Sequence, residues 1–344
     1  DIFVAPATEA LEESCAWYGD ARGGVLYFGE SAFWSGLRQT GSPLGELDHS
    51  GPRQIGRFDL ERGAMLPALV VAEEERSGTW DVLAHPNGRI YYTTFFGDAG
   101  WIDPLSARSE RFPHLGKGLN EWALGPGETL LVTRYGGAGS DEAQSESPEN
   151  TIVWIDPDGT KRAEWPLPAR GGQVLAPKTV AWDPSTDAIW VSTDVLPERK
   201  GPGGHPTIVL NFDGSERARI DDVEVQYARF LEDGTGYFAV ASGRTLKLGV
   251  RPPQARGRGL EGARWITLDT DFAQDLRLSA DGRALVTTWG GRIFSIRPET
   301  SRPVKVFDFP RPRTDGLYYS AVRAGEAICA TYCAGLSIVC TRTD

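Results

Sequence analysis

Seven residues recur at one point of a repeated pattern: Cys15, Asp81, Glu121, Thr179, Tyr227, Asp275 and Tyr319. Each follows a second residue of similar character: Ser14, Trp80, Asn120, Lys178, Gln226, Gln274 and Tyr318. Carboxylates, amides, an ammonium and phenol rings gathered in one place are the parts of a small-molecule or metal pocket. In such a pocket Asp275, Glu121 and Asp81 would bind a cation or act as acid and base. Asn120 and Lys178 would polarise a carbonyl or hold an anion. Trp80, Gln226, Gln274, Tyr227, Tyr318, Tyr319, Arg134 and Trp289 complete the ligand-binding candidates. His205, in GPGGHPT, is a candidate loop-borne acid or base. The competing readings are a wet mouth whose polar residues meet only water, and a solvated loop histidine.

These positions are defined by the repeat that must carry them. QDLRLSADGRALVTTWGGRIFSIRP recurs as TWDVLAHPNGRIYYTTFFGDAGWIDP, NEWALGPGETLLVTRYGG, KTVAWDPSTDAIWVSTD and QYARFLEDGTGYFAVASG. CAWYGDARGGVLYFGES opens the series and YYSAVRAGEAICATYCAG ends it. A repeat of roughly 40–55 residues with four short strands is the signature of a β-propeller. The expected fold is all-β, a seven-bladed propeller of four-stranded antiparallel blades in a single domain. The alternative count is six blades with one degenerate unit.

Blade 1 spans about 12–70, blade 2 about 78–113, blade 3 about 118–168 and blade 4 about 175–221. Blade 5 spans about 224–269, blade 6 about 272–309 and blade 7 about 314–344. Pairs such as Asn87-Gly88, Asp158-Gly159 and Asp281-Gly282 mark tight antiparallel turns. The last unit is one strand short, and the lone run Ile2-Phe3-Val4-Ala5 is expected to complete it and close the ring. Long connections at 31–52, 136–150 and 195–206 fall between second and third strands, over the candidate site. The second strands end on that same face and add Glu30, Arg134, Tyr135, Asp194, Trp289 and Tyr332.

The formal net charge of −11 disfavours nucleic acid and anionic membrane surfaces as partners. No apolar run reaches the length of a membrane span. GxSxG and P-loop motifs are absent, and no nucleotide cofactor is expected. An Ala334-Gly335 turn would set Cys329 opposite Cys340. Cys333 ends a strand of the last blade and Cys15 begins one of the first, so Cys15–Cys333 would lock the closure. Two disulfides imply an oxidising compartment, extracellular or periplasmic, and the start at Asp1 without Met fits a removed leader. The alternative is four buried thiols.

The segments GLNEWALGPGETLLVTRYG and APKTVAWDP resemble repeats of the regucalcin/gluconolactonase-like and streptogramin-lyase-like propellers. The first resemblance implies a divalent cation such as Ca2+, with Glu13, Asn120 and Asp275 as metal ligands. The family's second asparagine falls at Lys178, whose ammonium opposes a cation there. The streptogramin lyases use histidines for chemistry; here His85 and His114 fall elsewhere, and His49 and His205 lie on loops. The combined expectation is a monomeric propeller enzyme. It would carry out metal-assisted hydrolysis or elimination of a small ester, lactone or glycan. The alternative is a non-catalytic binding module for a protein or glycan.

Overall fold

The computed structural model describes residues 2–5, 15–31, 53–72, 78–94, 97–135, 150–168, 174–196, 205–242, 245–255, 259–270, 272–288, 290–299, 305–309, 317–333 and 337–342. Strand β1 is Ile2–Ala5, followed by β2 (Cys15–Arg22), β3 (Val25–Ser31), β4 (Arg53–Asp59) and β5 (Ala64–Ala72). The second repeat gives β6 (Thr79–Ala84), β7 (Ile90–Thr94), β8 (Ala99–Ile102) and β9 (Ser109–Arg111). The third gives β10 (Leu119–Leu124), β11 (Leu130–Arg134), β12 (Thr151–Ile155) and β13 (Lys161–Pro166). Then come β14 (Val174–Asp183), β15 (Ala188–Leu196), β16 (Thr207–Leu210) and β17 (Glu216–Ile220). The fifth holds β18 (Glu224–Phe230), β19 (Gly236–Ser242), β20 (Thr245–Arg251) and β21 (Arg264–Leu268). The last two hold β22 (Asp275–Leu278), β23 (Ala284–Thr287), β24 (Arg292–Ile296), β25 (Lys305–Asp308), β26 (Leu317–Ala324), β27 (Ala327–Cys333) and β28 (Ser337–Arg342).

Five sheets are four-stranded antiparallel meanders in sequence order: β6 to β9, β10 to β13, β14 to β17, β18 to β21 and β22 to β25. The remaining strands form one eight-stranded sheet, in which β1 pairs with β28 and β2 pairs with β27. The expectation of seven four-stranded blades is therefore corrected: five such blades are present, not seven. The reason is the cysteine pair. Cys15 and Cys333 are ladder partners, and that one pair carries the hydrogen-bonded sheet from the last repeat into the first.

Turn chemistry sets the meanders. Gly88, Gly159, Gly214, Gly234 and Gly282 all have φ between 77° and 93°, the left-handed conformation that closes such a turn. The preceding Asn or Asp side chain caps the turn: Asp233 Oδ1 accepts from the Thr235 N–H at 2.7 Å, and Asn87 Oδ1 from the Arg89 N–H at 2.9 Å.

The described chain divides into two compact units. One takes residues 1–112, 287–293 and 306–344, and the other takes 113–286 and 294–305. In the first, Tyr27, Ile55 and Leu69 pack on Val82, Ile90, Tyr92 and Ile102 of the next sheet. In the second, Leu131 and Ile152 pack on Val180, Ile189 and Ile208, and Trp190 packs on Val225, Phe238 and Val240. Sheets packed on both faces bury nearly every residue of the inner strands, which is why β12 reads TIVWI without alternation. Between two sheets of the second unit, fully buried Arg251 pairs with fully buried Asp183 and lies over Trp190, Phe230 and Phe238. Removing either charge alone would strand the other in an apolar layer.

Both expected disulfides are present, Cys15–Cys333 and Cys329–Cys340, with sequence separations of 318 and 11. Loop-closure entropy scales with the enclosed length, so the first should stabilise by about 5–6 kcal/mol and the second by about 3 kcal/mol. Cys15→Ala/Cys333→Ala should therefore lower the denaturation midpoint more than Cys329→Ala/Cys340→Ala. Equal losses in a urea titration would refute this ordering.

Candidate functional site

The first strand of a repeat has one irregularity, and it falls on the candidate residues. In β6 and β7, Thr79 faces Thr94 and Val82 faces Tyr92, so Trp80 and Asp81 together oppose one residue. In β10 and β11 the same shift isolates Asn120 and Glu121, and in β26 and β27 it isolates Tyr319 and Ser320. Trp17 and Tyr18 occupy it in β2. A one-residue shift falls at Lys178 in β14 and at Gln226 in β18. These are β-bulges, which take a residue out of the ladder and turn its side chain away from the alternating faces. The backbone freed by the bulge is capped by the neighbouring strand. Thr133 Oγ1 accepts from the Glu121 N–H and Thr331 Oγ1 from the Ser320 N–H, each at 2.9 Å.

In the second unit, β10, β14, β18 and β22 bring several candidates together. Glu121 is paired with Arg229 at 2.5 Å, both mostly buried. That guanidinium also donates to the backbone carbonyl of Ala228 at 3.0 Å and lies over the Tyr227 ring. Asp275 is paired with Arg277 at 2.7 Å, and its other oxygen accepts from the Leu276 N–H at 2.8 Å. Lys178 Nζ lies 5.5 Å from the centre of the Phe272 ring. Gln226 is buried, accepting from the Ala273 N–H at 3.0 Å and donating to Glu224 at 3.4 Å. Buried Tyr227 donates its hydroxyl to the Gln274 backbone carbonyl.

At the same end of β15, Asp194 Oδ1 lies 4.0 Å from His205 Nδ1, and both side chains are one-third exposed. The Thr193 hydroxyl fixes the approach by donating to the Pro206 carbonyl at 2.6 Å. Asp194 is the ladder partner of Ala176, two residues from Lys178. Arg134 lies elsewhere in its role: it binds Glu164 at 2.9 Å and the carbonyls of Lys117 and Leu115, buttressing β11 rather than facing a ligand. His114 contacts the Gly159 carbonyl at 2.8 Å.

In the first unit the candidates form an aromatic cluster. Trp17 lies 5.0 Å from Trp80 and 4.7 Å from Tyr319, and Tyr18 lies 5.1 Å from Trp80. Cys15 and Cys333 share this buried cluster. Burial raises the Tyr319 phenol well above its ordinary range. A side chain at Gly29 would meet the Trp80 carbonyl at 2.4 Å, so glycine is required where β3 passes β6. Asp81 is buried, and Tyr318 packs against Tyr332 at 4.8 Å and Phe309 at 5.8 Å.

Glu30, 5% exposed, closes a circuit across β3, β4 and β6. Its Oε1 accepts from Gln54 Nε2 at 2.6 Å, its N–H donates to Thr79 Oγ1 at 2.9 Å, and that hydroxyl donates to the Gln54 carbonyl at 2.6 Å. Burial lifts its carboxyl to about 7, partly offset by the Gln54 hydrogen bond.

Of the metal set expected from Glu13, Asn120 and Asp275, Glu13 lies outside the described residues and Asp275 already has a guanidinium partner. Arg277 beside Asp275 opposes a divalent cation. Among the described residues no three His, Cys, Asp or Glu side chains gather as metal ligands. Glu13, Trp289 and His49 lie outside the described residues. Sequence reasoning missed Arg229 and Arg277, which stand two positions beyond Tyr227 and Asp275 in the strands QYARF and QDLRL. An arginine two positions beyond each candidate in its strand was the available signal.

No family model matches the chain, and no curated protein matches it. Among solved structures it is similar to a catalytically inactive histidine-to-alanine variant of virginiamycin B lyase from Staphylococcus aureus, solved with quinupristin. The TM-score is 0.64 at 11% identity, over 100% of both chains. It is also similar to the β-propeller domain of Myceliophteria thermophila Cps50 (Swd1), with a TM-score of 0.63 at 9% identity, over 96% of this chain and 98% of the other. Similarity at this identity establishes the fold, an all-β propeller.

Glu30 gives this site a pH signature. The unfolded carboxyl ionises above about 4.5, but the folded one only near 7. Its stabilising contribution is complete below the lower value and lost as pH rises through the upper one. Glu30→Gln should remove that dependence. Between pH 5 and pH 8 the wild type should lose roughly 2–3 kcal/mol relative to the variant. Parallel stability curves for the two proteins would contradict it.

Proposed function

We propose that the chain is an acid–base enzyme that eliminates or hydrolyses a small ester, lactone or glycan at the Lys178 end of its second unit. The single observation that carries this reading is the Asp194–His205 pair, held at 4.0 Å beside the bulged head of β14. A carboxylate on the Nδ1 side favours the tautomer protonated there and makes Nε2 the basic nitrogen. A base oriented in this way takes a proton from a carbon next to a carbonyl, or from water. Catalytic hydrogen bonds that are long without substrate commonly tighten when it binds. The mostly buried Glu121–Arg229 and Asp275–Arg277 pairs give those carboxylates guanidinium partners and leave the acid–base role in this reading to His205.

The likeness to a lyase that a histidine-to-alanine change inactivates supports a histidine-based reading. The two disulfides fit an extracellular or periplasmic setting. No helix among the described residues is long and apolar enough to cross a membrane.

A panel of aryl esters, lactones and β-elimination substrates tests the proposal. On any substrate turned over, His205→Gln should reduce kcat/KM by a factor on the order of 100 or more. Asp194→Asn should reduce it less, leaving KM nearly unchanged. Turnover that survives His205→Gln would overturn the assignment. No turnover across the panel, with a ligand still bound, would make the chain a binding module instead.

A further inference from the structure

The charges at this end of the second unit do not cancel in pairs. Among the described residues, the four carboxylates carried by strands β10, β15, β18 and β22 each have a partner. Glu121 has Arg229, Asp275 has Arg277, Asp194 has His205, and Glu224 takes a hydrogen bond from the Gln226 amide. Lys178 is the cation that none of them takes. Among the described residues its ammonium meets the face of Phe272 and lies within ion-pair distance of no carboxylate.

The position is built rather than incidental. Lys178 is the extra residue of the β14 bulge, so the backbone itself turns its side chain out of the ladder. Phe272 comes from the segment ahead of β22, two sheets away, and its neighbour Ala273 is pinned by Gln226 at 3.0 Å. A half-buried ammonium on an aromatic face has lost part of its hydration and gained only a weak cation–π contact in return. An arriving anion would complete its coordination.

We propose that Lys178 anchors a monoanionic carboxylate whose apolar body lies along Phe272. The surrounding charge selects the anion. Asp194 and Glu224 are not neutralised by a guanidinium, and they would repel a phosphate dianion more strongly than a single carboxylate. The ring beside the ammonium offers area to a flat or aliphatic body and nothing to inorganic phosphate. This deepens the proposed function and rests on it only for location: it assigns the substrate class as a small ester, lactone or glycan that also bears one carboxylate.

Calorimetric titration with phenylacetate, its neutral amide and inorganic phosphate tests the proposal without requiring turnover. Phenylacetate should bind saturably to the wild type, and the neutral amide and phosphate should bind at least tenfold more weakly. Lys178→Gln should weaken phenylacetate by about tenfold or more, the loss of one charge-assisted contact, and Lys178→Arg should restore most of it. His205→Gln should bind phenylacetate within about twofold of wild type, which separates this proposal from the catalytic one. Far-UV circular dichroism melts of each variant establish that it is folded. Lack of saturable phenylacetate binding, equal binding by Lys178→Gln, or equal competition by phosphate would each overturn it.

Discussion

The site depends on a break in the β-ladder. A regular first strand would send each side chain into one of two packed faces, and both faces are filled by neighbouring sheets. Polar residues at those positions would be buried without partners. The bulge at the head of β2, β6, β10, β14, β18 and β26 takes the residue out of that alternation. Asp81, Glu121, Lys178 and Gln226 can therefore be charged or polar without disturbing the sheets that carry them. The threonines opposite accept the displaced N–H groups, so the irregularity leaves few orphaned donors.

Charge neutralisation then sets the chemistry. Carboxylates on adjoining strands would repel one another, and two solutions are available: a shared cation or local guanidinium partners. In this chain guanidinium partners meet both Glu121 and Asp275. Arg229 spans from β18 to Glu121 on β10, and Arg277 closes on Asp275 within its own strand. The pairs are mostly buried, where an unpartnered charge would be costly. Under the proposed function, with these acids occupied, the reactive group comes from the strand ends and loops. The Asp194–His205 pair sits there, and Glu30 occupies the corresponding strand end in the first unit with its carboxyl held near neutrality.

Much of the architecture was legible in the primary structure. The Asx-Gly turns and the four-strand spacing locate most strands within a residue or two. In the second repeat the strands run 79–84, 90–94, 99–102 and 109–111, close to what its turns dictate. The opposition of Cys329 and Cys340 across a hairpin is a matter of local register. The number of separate blades was not legible. Whether two repeats stay separate sheets or merge depends on one ladder pair, Cys15 with Cys333, between residues 318 positions apart. Tyr227, Tyr318 and Arg134 show the same limit. Their types suit a pocket as well as a core, and only the tertiary structure shows what each one touches.

The sequence by itself determined the strands, the turns, the opposition of Cys329 and Cys340 across a hairpin and the positions where polar residues interrupt the repeat. These depend on near neighbours and on side-chain chemistry, which the order of residues specifies directly. The tertiary structure alone decided which charges meet. Arg229 and Glu121 are 108 residues apart, and their contact converts a metal-like set of carboxylates into neutral pairs. The same packing left Lys178 against Phe272 with no carboxylate among the described residues to neutralise it. Electrostatic partnership is a property of distance in space, and repeats folded into adjacent sheets bring together residues whose spacing in sequence carries no trace of it.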